Sequence, residues 1–218
     1  MINSILQHTN ECFINGRVGK IETLISEVNQ DRLLPLVIIC HPHSLYGGSM
    51  HNKVVTTLAK AFRELGLITV RMNFRGVGNT DGVYDAGVGE AEDLLNVIDA
   101  MQEAYPGREI WLAGFSFGAY VVLRAHTHQA VKRIILIAPP VSQFNCQAYA
   151  PTHKPWTLIH GSDDDLIPSE AIKHFTAGLR HPPEVHFLAE ASHFFHGKLN
   201  DLRHLLKSLF GSLQATTL

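Results

Sequence analysis

Cysteine is scarce. There are three in 218 residues, Cys12, Cys40 and Cys146, an odd number without C-x-x-C spacing, which argues against a disulfide framework and a zinc ribbon. An excess of either charge is also missing. Eighteen Lys and Arg stand against 20 Asp and Glu, a formal charge of −2 with the 14 His neutral. So small an imbalance offers no basic face to a phosphate backbone, and nucleic acid is not an expected partner. The longest apolar runs, Leu33–Cys40 and Ile134–Val141, fall far short of the ~20 residues that cross a bilayer. The first positive side chain is Arg17, so the charged start of a secretory signal is not seen. These absences make the cytoplasm the expected compartment, with no membrane association. What is present is ordinary for a globular chain, 45% hydrophobic and 17% charged, of a length that suits one domain over 1–218.

The apolar pattern alternates between two periods. Phe13–Glu27 reads as an antiparallel hairpin with Gly16 and Gly19 at its turn. Leu36–Cys40 is a continuous apolar run, suited to a strand covered on both faces. Val54, Val55, Leu58, Ala61, Phe62 and Leu65 then fall at helical spacing, ending at Gly66. Strand-like Leu67–Phe74 follows, then a helical stripe from Ala91 to Tyr105 stopped by Pro106-Gly107. Glu109–Ala113, Val131–Ala138, Trp156–His160 and Glu184–Ala189 read as further strands. Between and after them come helices over Phe117–His128, from Pro168 to about Gly178, and along Leu199, Leu202, Leu205, Leu206 and Leu209 with Gly211 as stop. This alternation predicts an α/β fold, a mostly parallel doubly wound sheet with an N-terminal antiparallel hairpin. Ligands of such sheets bind at the C-terminal ends of the strands.

Three loops at those ends hold the reactive side chains. Gly114-Phe115-Ser116-Phe117-Gly118 lies between a strand and a helix. As a bare string G-x-S-x-G is weak; at a strand-to-helix turn it strains and exposes the serine, with free helix N–H groups behind it. A serine hydroxyl needs a base. Downstream, one strand runs into Asp163-Asp164-Asp165 and the next into Ser192-His193, so carboxylate and imidazole reach the same sheet edge in the order Ser, Asp, His. A solvated loop explains two of the three aspartates, and most of the 14 histidines are surface or packing residues.

Taken together, these strings resemble the α/β-hydrolase superfamily along the whole chain. They are Gly114–Gly118, His160-Gly161-x-x-Asp164-x-x-Ile167-Pro168, and Ser192-His193-Phe194-Phe195-His196-Gly197-Lys198-Leu199. His41-Pro42-His43-Ser44-Leu45-Tyr46-Gly47-Gly48 and Asn73-Phe74-Arg75-Gly76-Val77-Gly78 are similar to stretches of small bacterial hydrolases related to dienelactone hydrolases. The resemblance implies Ser116 as nucleophile, His193 as general base and acid, and Asp164, three residues after the glycine, as the carboxylate that orients the imidazole. It implies an oxyanion hole using the N–H of Phe117 and a second donor from His43 or Ser44, where Pro42 departs from the commoner His-Gly pattern. His41 is expected to brace its loop.

The expected activity is a serine hydrolase cleaving a small carboxylic ester or related acyl compound through an acyl-enzyme, without cofactor or metal. Only Pro139–Pro155 separates two successive strands, with prolines that discourage a long helix, so no cap domain is expected over Ser116. The alternatives are a catalytically silent or peptide-cleaving member of the same fold. A metal site from His41, His43 and His51, or from His193 and His196, lacks acidic or thiol ligands at a recognised spacing. No G-x-x-x-x-G-K-[ST] or G-x-G-x-x-G string supports nucleotide binding.

Overall fold

The computed structural model describes residues 7–28, 34–151 and 153–211. Strands β1 (Gln7–Asn15) and β2 (Lys20–Val28) form the antiparallel hairpin, closed by Asn15 opposite Lys20. Its first strand begins six residues before Phe13, on polar residues that carry no strand signal. Strands β3 (Leu36–Cys40), β4 (Ile68–Met72), β5 (Ile110–Phe115), β6 (Val131–Ile137), β7 (Trp156–Gly161) and β8 (Glu184–Leu188) follow. The sheet order is β1-β2-β4-β3-β5-β6-β7-β8. β2 meets β4 antiparallel, and every later pairing is parallel. The loops after β3 to β8 therefore share one edge.

Helices α1 (Lys53–Glu64), α2 (Val88–Ala104), α3 (Phe117–Ala125), α4 (Ser169–Ala177) and α5 (Leu199–Phe210) cover both faces. Strand β3 shows why its five residues are all apolar: Leu36, Ile38 and Cys40 pack on the side of α2, α3 and α4, while Val37 and Ile39 pack on that of α1 and α5. A two-residue side-chain period puts neighbours on opposite faces, so a strand between two helical layers has no polar side. In α1 the fully buried Leu58 and Phe62 each contribute about 1.5–3 kcal/mol by leaving water. The Asn52 side chain caps that helix by accepting from the Val54 N–H at 2.9 Å.

Several boundaries differ from the sequence expectation, three of them for a clear local reason. α2 starts at Val88, ahead of its apolar stripe, because the Glu90 carboxylate accepts from the N–H groups of Asp85 and Gly87, both at 2.8 Å. α3 ends at Ala125, where the His126 ring turns back on the Leu123 carbonyl at 2.6 Å. β5 runs on to Phe115, because Gly114 and Phe115 pair with Leu136 and Ile137 of β6. The strand thus delivers the chain rigidly to Ser116. Between β6 and β7 the described residues form one short 3-10 turn, Cys146–Tyr149, and no cap domain.

Candidate active site

Ser116 occupies the sharp turn between β5 and α3 with φ 53° and ψ −121°. A side-chain-bearing residue held there costs on the order of 1–3 kcal/mol. Its N–H donates to the Ile137 carbonyl at 2.9 Å, and its own carbonyl accepts from the Ala119 N–H at 2.8 Å. The flanking glycines permit the packing. A Cβ at Gly114 would lie 2.3 Å from the Gly118 oxygen, and one at Gly118 would lie 2.5 Å from the Cys40 oxygen. Only hydrogen atoms at both positions let the first turn of α3 rest on β5 and β3.

Two further loops meet this turn. The loop after β7 carries Asp164 and the loop after β8 carries His193. They are zipped together: the Ser162 N–H donates to the Leu188 oxygen at 2.9 Å and the Asp163 N–H to the Ala191 oxygen at 3.0 Å. A Cβ at Gly161 would come within 2.2 Å of the Ala191 oxygen, which is the physical reason for a glycine after His160. Held this way, the His193 Nε2 lies 3.0 Å from the Ser116 Oγ, and the Nδ1 lies 2.7 Å from Asp164 Oδ2. A carboxylate only accepts, so Nδ1 carries the proton and Nε2 is free to accept from the hydroxyl.

Asp164 is buried, as is His193, while Asp163 and Asp165 are exposed. Burial pushes the Asp164 carboxyl up. The hydrogen bonds from His193 and the Ile167 N–H, with the nearby imidazoles, outweigh it, so the carboxyl sits below its ordinary value. Its other oxygen, Oδ1, accepts from the N–H groups of Leu166 at 2.9 Å and Ile167 at 2.8 Å. The fully buried His160 donates from Nε2 to the Ile167 carbonyl at 2.8 Å and stands 3.5 Å from Asp164 Oδ2. Burial lowers its pKa, so it is a neutral brace. Ile167 is thereby held through both its N–H and its carbonyl.

Ser116 and His193 open into a cleft of about 470 Å³ whose wall includes Pro42, His43, Phe117, Phe144, Leu166 and Phe194. As the first residue of α3, Phe117 has an N–H without an intrahelical acceptor. Of the two residues considered for a second donor, His43 lines the cleft. Ser44 is not part of that wall, and its Oγ is buried without a partner. The His43 Nδ1 accepts from the Leu45 N–H at 3.3 Å, so its Nε2 donates to the Tyr84 hydroxyl at 3.0 Å. His41 is fully buried. Its Nδ1 donates to the Pro42 oxygen at 2.6 Å and its Nε2 accepts from the Phe74 N–H at 2.9 Å. Burial pushes its pKa down to about 4, and this neutral ring ties the loop after β3 to that after β4. The ring nitrogens of both histidines are thus engaged within the protein. Among the described residues no three His, Cys, Asp or Glu side chains converge to hold a metal. No helix there is long and apolar enough to cross a membrane.

Several supporting residues escaped the sequence reading. Asn73 accepts from the Met50 N–H at 2.8 Å and donates to Glu22 at 2.7 Å, tying the loop after β4 to the hairpin. Arg75 makes a two-pronged, buried ion pair with Asp93 at 2.8 and 2.9 Å. Both belong to the Asn73–Gly78 string, whose length was a signal without an assigned role. Tyr84 and Phe144 sit in irregular segments with no periodicity to mark them.

Comparison with known proteins agrees with this geometry. The family described as serine aminopeptidase, S33, matches residues 34–152. An α-β serine hydrolase homologue from Coxiella burnetii is 44% identical with a TM-score of 0.88, over 92% of this chain and 97% of that one. A serine hydrolase without lid from Xanthomonas campestris is 38% identical with a TM-score of 0.86, over 92% and 93%. An uncharacterized protein of Rickettsia prowazekii is 28% identical over 94% of this chain and 90% of its own. With a serine at the sharp turn between β5 and α3, the strand order above and these relatives, the chain belongs to the α/β-hydrolase superfamily, among the serine hydrolases that lack a lid.

Proposed function

We propose that this serine hydrolase cleaves carboxylic esters through a Ser116–His193–Asp164 triad. The observation that carries the reading is the continuous hydrogen-bonded chain from Ser116 Oγ through the imidazole to Asp164. As Ser116 Oγ bonds to the carbonyl carbon, its proton passes to His193 Nε2, and the charge of the imidazolium is balanced by Asp164. The oxyanion forms beside the N–H of Phe117 and, from the facing loop, that of His43, where fixed dipoles need no reorganisation. Collapse expels the alcohol, whose oxygen takes the proton back from His193. Water then repeats the sequence on the acyl-enzyme, returning acid and free serine. Every proton and electron pair is accounted for by these groups and water.

The family description suggests peptides with a free amino terminus. Against it stands the cleft wall, which contains no Asp or Glu. An ammonium buried there would lack the partner it needs, so an uncharged ester is the better fit. The test is a fluorophosphonate probe followed by intact-protein mass spectrometry, with hydrolysis of short p-nitrophenyl esters and aminoacyl-p-nitroanilides in parallel. One adduct on the wild type and none on Ser116→Ala, with esters cleaved and anilides untouched, is expected. Equal labelling of Ser116→Ala would overturn the nucleophile, and faster anilide cleavage would restore the peptidase reading.

A further inference from the structure

The cleft beside Ser116 is walled by rings that lean on one another. The centroid of the His43 ring lies 4.8 Å from those of both Tyr46 and Phe117, and Phe117 lies 5.5 Å from Phe144. Across the cleft stands Phe194, edge-on to His193 at 5.1 Å. At its mouth the same wall leaves apolar side chains in water: Tyr46 is 86% exposed, Leu166 49% and Phe194 41%. Single exposed apolar residues are ordinary, but three around one opening form a patch that some occupant would cover. No Lys, Arg, Asp or Glu lines the cleft, and its polar groups are the amides of Asn52 and Gln143, the hydroxyls of Ser116 and Tyr46, and the histidines.

We infer that the substrate is an uncharged ester bearing an aromatic ring, the ring lying against His43 and Phe144, which the buried Phe117 ring backs from the core, with Tyr46 and Phe194 at its edges. The inference rests on the Ser116 reading above and narrows its substrate class. Two physical terms carry it. His43 and Phe144 each pack on the buried Phe117 ring, at 4.8 and 5.5 Å, and are held to offer their outer sides to an offset or edge-on contact with one more ring, which adds to simple burial. A free carboxylate, phosphate or ammonium inside the cleft would lose its hydration and meet no opposite charge. The wall is pre-organised: the Tyr84 hydroxyl holds the His43 ring at 3.0 Å, and Tyr120 stacks behind Phe144 at 4.7 Å.

The experiment compares methyl esters whose carbonyls are equally reactive because the group that differs is remote. Methyl 3-phenylpropanoate is set against methyl 3-cyclohexylpropanoate, and methyl butyrate against monomethyl succinate, by pH-stat. The phenyl ester should exceed the cyclohexyl ester in kcat/KM by about fivefold, the size of an aromatic pair contact. The succinate should fall at least about a hundredfold below butyrate, as an unpaired charge requires. In Phe144→Leu and Tyr46→Leu the phenyl-to-cyclohexyl ratio should collapse towards one. An enzyme that takes the fluorophosphonate label yet shows a ratio near one, or accepts the succinate as well as butyrate, overturns the inference and leaves Ser116 standing. Absence of labelling and of any ester turnover would overturn the Ser116 reading itself.

Discussion

Replacing Asp164 by Asn isolates one proton. The carboxylate's Oδ1 receives two backbone N–H groups, from Leu166 and Ile167, at 2.9 and 2.8 Å. Both are donors, so an asparagine must keep its oxygen there; turning the amide over would set N–H against N–H in a buried turn. Its NH₂ then faces His193 Nδ1, where Asp164 Oδ2 now accepts at 2.7 Å. That forces Nδ1 to be the acceptor and puts the ring proton on Nε2, pointing at Ser116 Oγ. An imidazole in that tautomer cannot take the serine proton, and the charge that would stabilise imidazolium is gone. In an unrelated serine protease the equivalent change costs about 10⁴ in kcat, which corresponds to about 5 kcal/mol of transition-state stabilisation. We expect a loss of that order in Asp164→Asn, with KM little changed. The melting temperature should move little, because both N–H groups keep their acceptor. Asp163→Asn and Asp165→Asn, at exposed positions, should stay within about threefold, as surface substitutions do. The assay is steady-state hydrolysis of methyl butyrate with thermal unfolding of the same samples. A loss under tenfold in Asp164→Asn, or a larger loss at either neighbour, would refute the reasoning.

Three other outcomes are expected. Ser116→Gly removes the side chain that is strained at φ 53°; it should abolish turnover yet stabilise the fold by about 1–2 kcal/mol, read as a rise of a few degrees in Tm, and a lower Tm would contradict the strain argument. Because burial lowers the His41 pKa from 6.5 to about 4, the unfolded chain binds a proton that the folded one refuses between those values. Its contribution of about 3 kcal/mol is therefore complete above pH 6.5 and lost as the pH falls towards 4. Urea unfolding of the wild type and of His41→Gln, which keeps a donor and an acceptor without titrating, should diverge across that window; parallel curves would argue against it. With no cap among the described residues between β6 and β7, a linear acyl chain gains about 0.8 kcal/mol per CH₂ only while the cleft covers it. Across p-nitrophenyl esters from acetate to palmitate, kcat/KM should level off after the first few carbons and show no rise at the micelle threshold; a climb to palmitate would reveal a chain-length pocket.

How much was legible in the sequence divides along physical lines. The apolar alternation of Leu36–Cys40 and the helical spacing of Val54 to Leu65 state burial directly, so strands, helices and the parallel sheet followed without coordinates. Ser116 was readable because its glycine neighbours report a steric requirement, confirmed in the contacts at Gly114 and Gly118. Element ends were less so. The early start of α2 depends on the Glu90 carboxylate folding back on Gly87, which the apolar pattern does not record.

Only tertiary structure decided which of His43 and Ser44 faces the cleft, since that depends on how a 3-10 turn at Ser44–Tyr46 rotates two adjacent residues. The cleft wall is likewise a product of folding. His43, Phe144 and Phe194 come from three separate loops and Phe117 from the start of α3, and no spacing along the chain encodes their meeting. The sequence by itself determined the elements and the glycine-flanked turn at Ser116, because each is written in local period and sterics. The distances from Asp164 through His193 to Ser116 were decided by three loops docking at one sheet edge, where the backbone zipper between Ser162 and Leu188 sets the spacing.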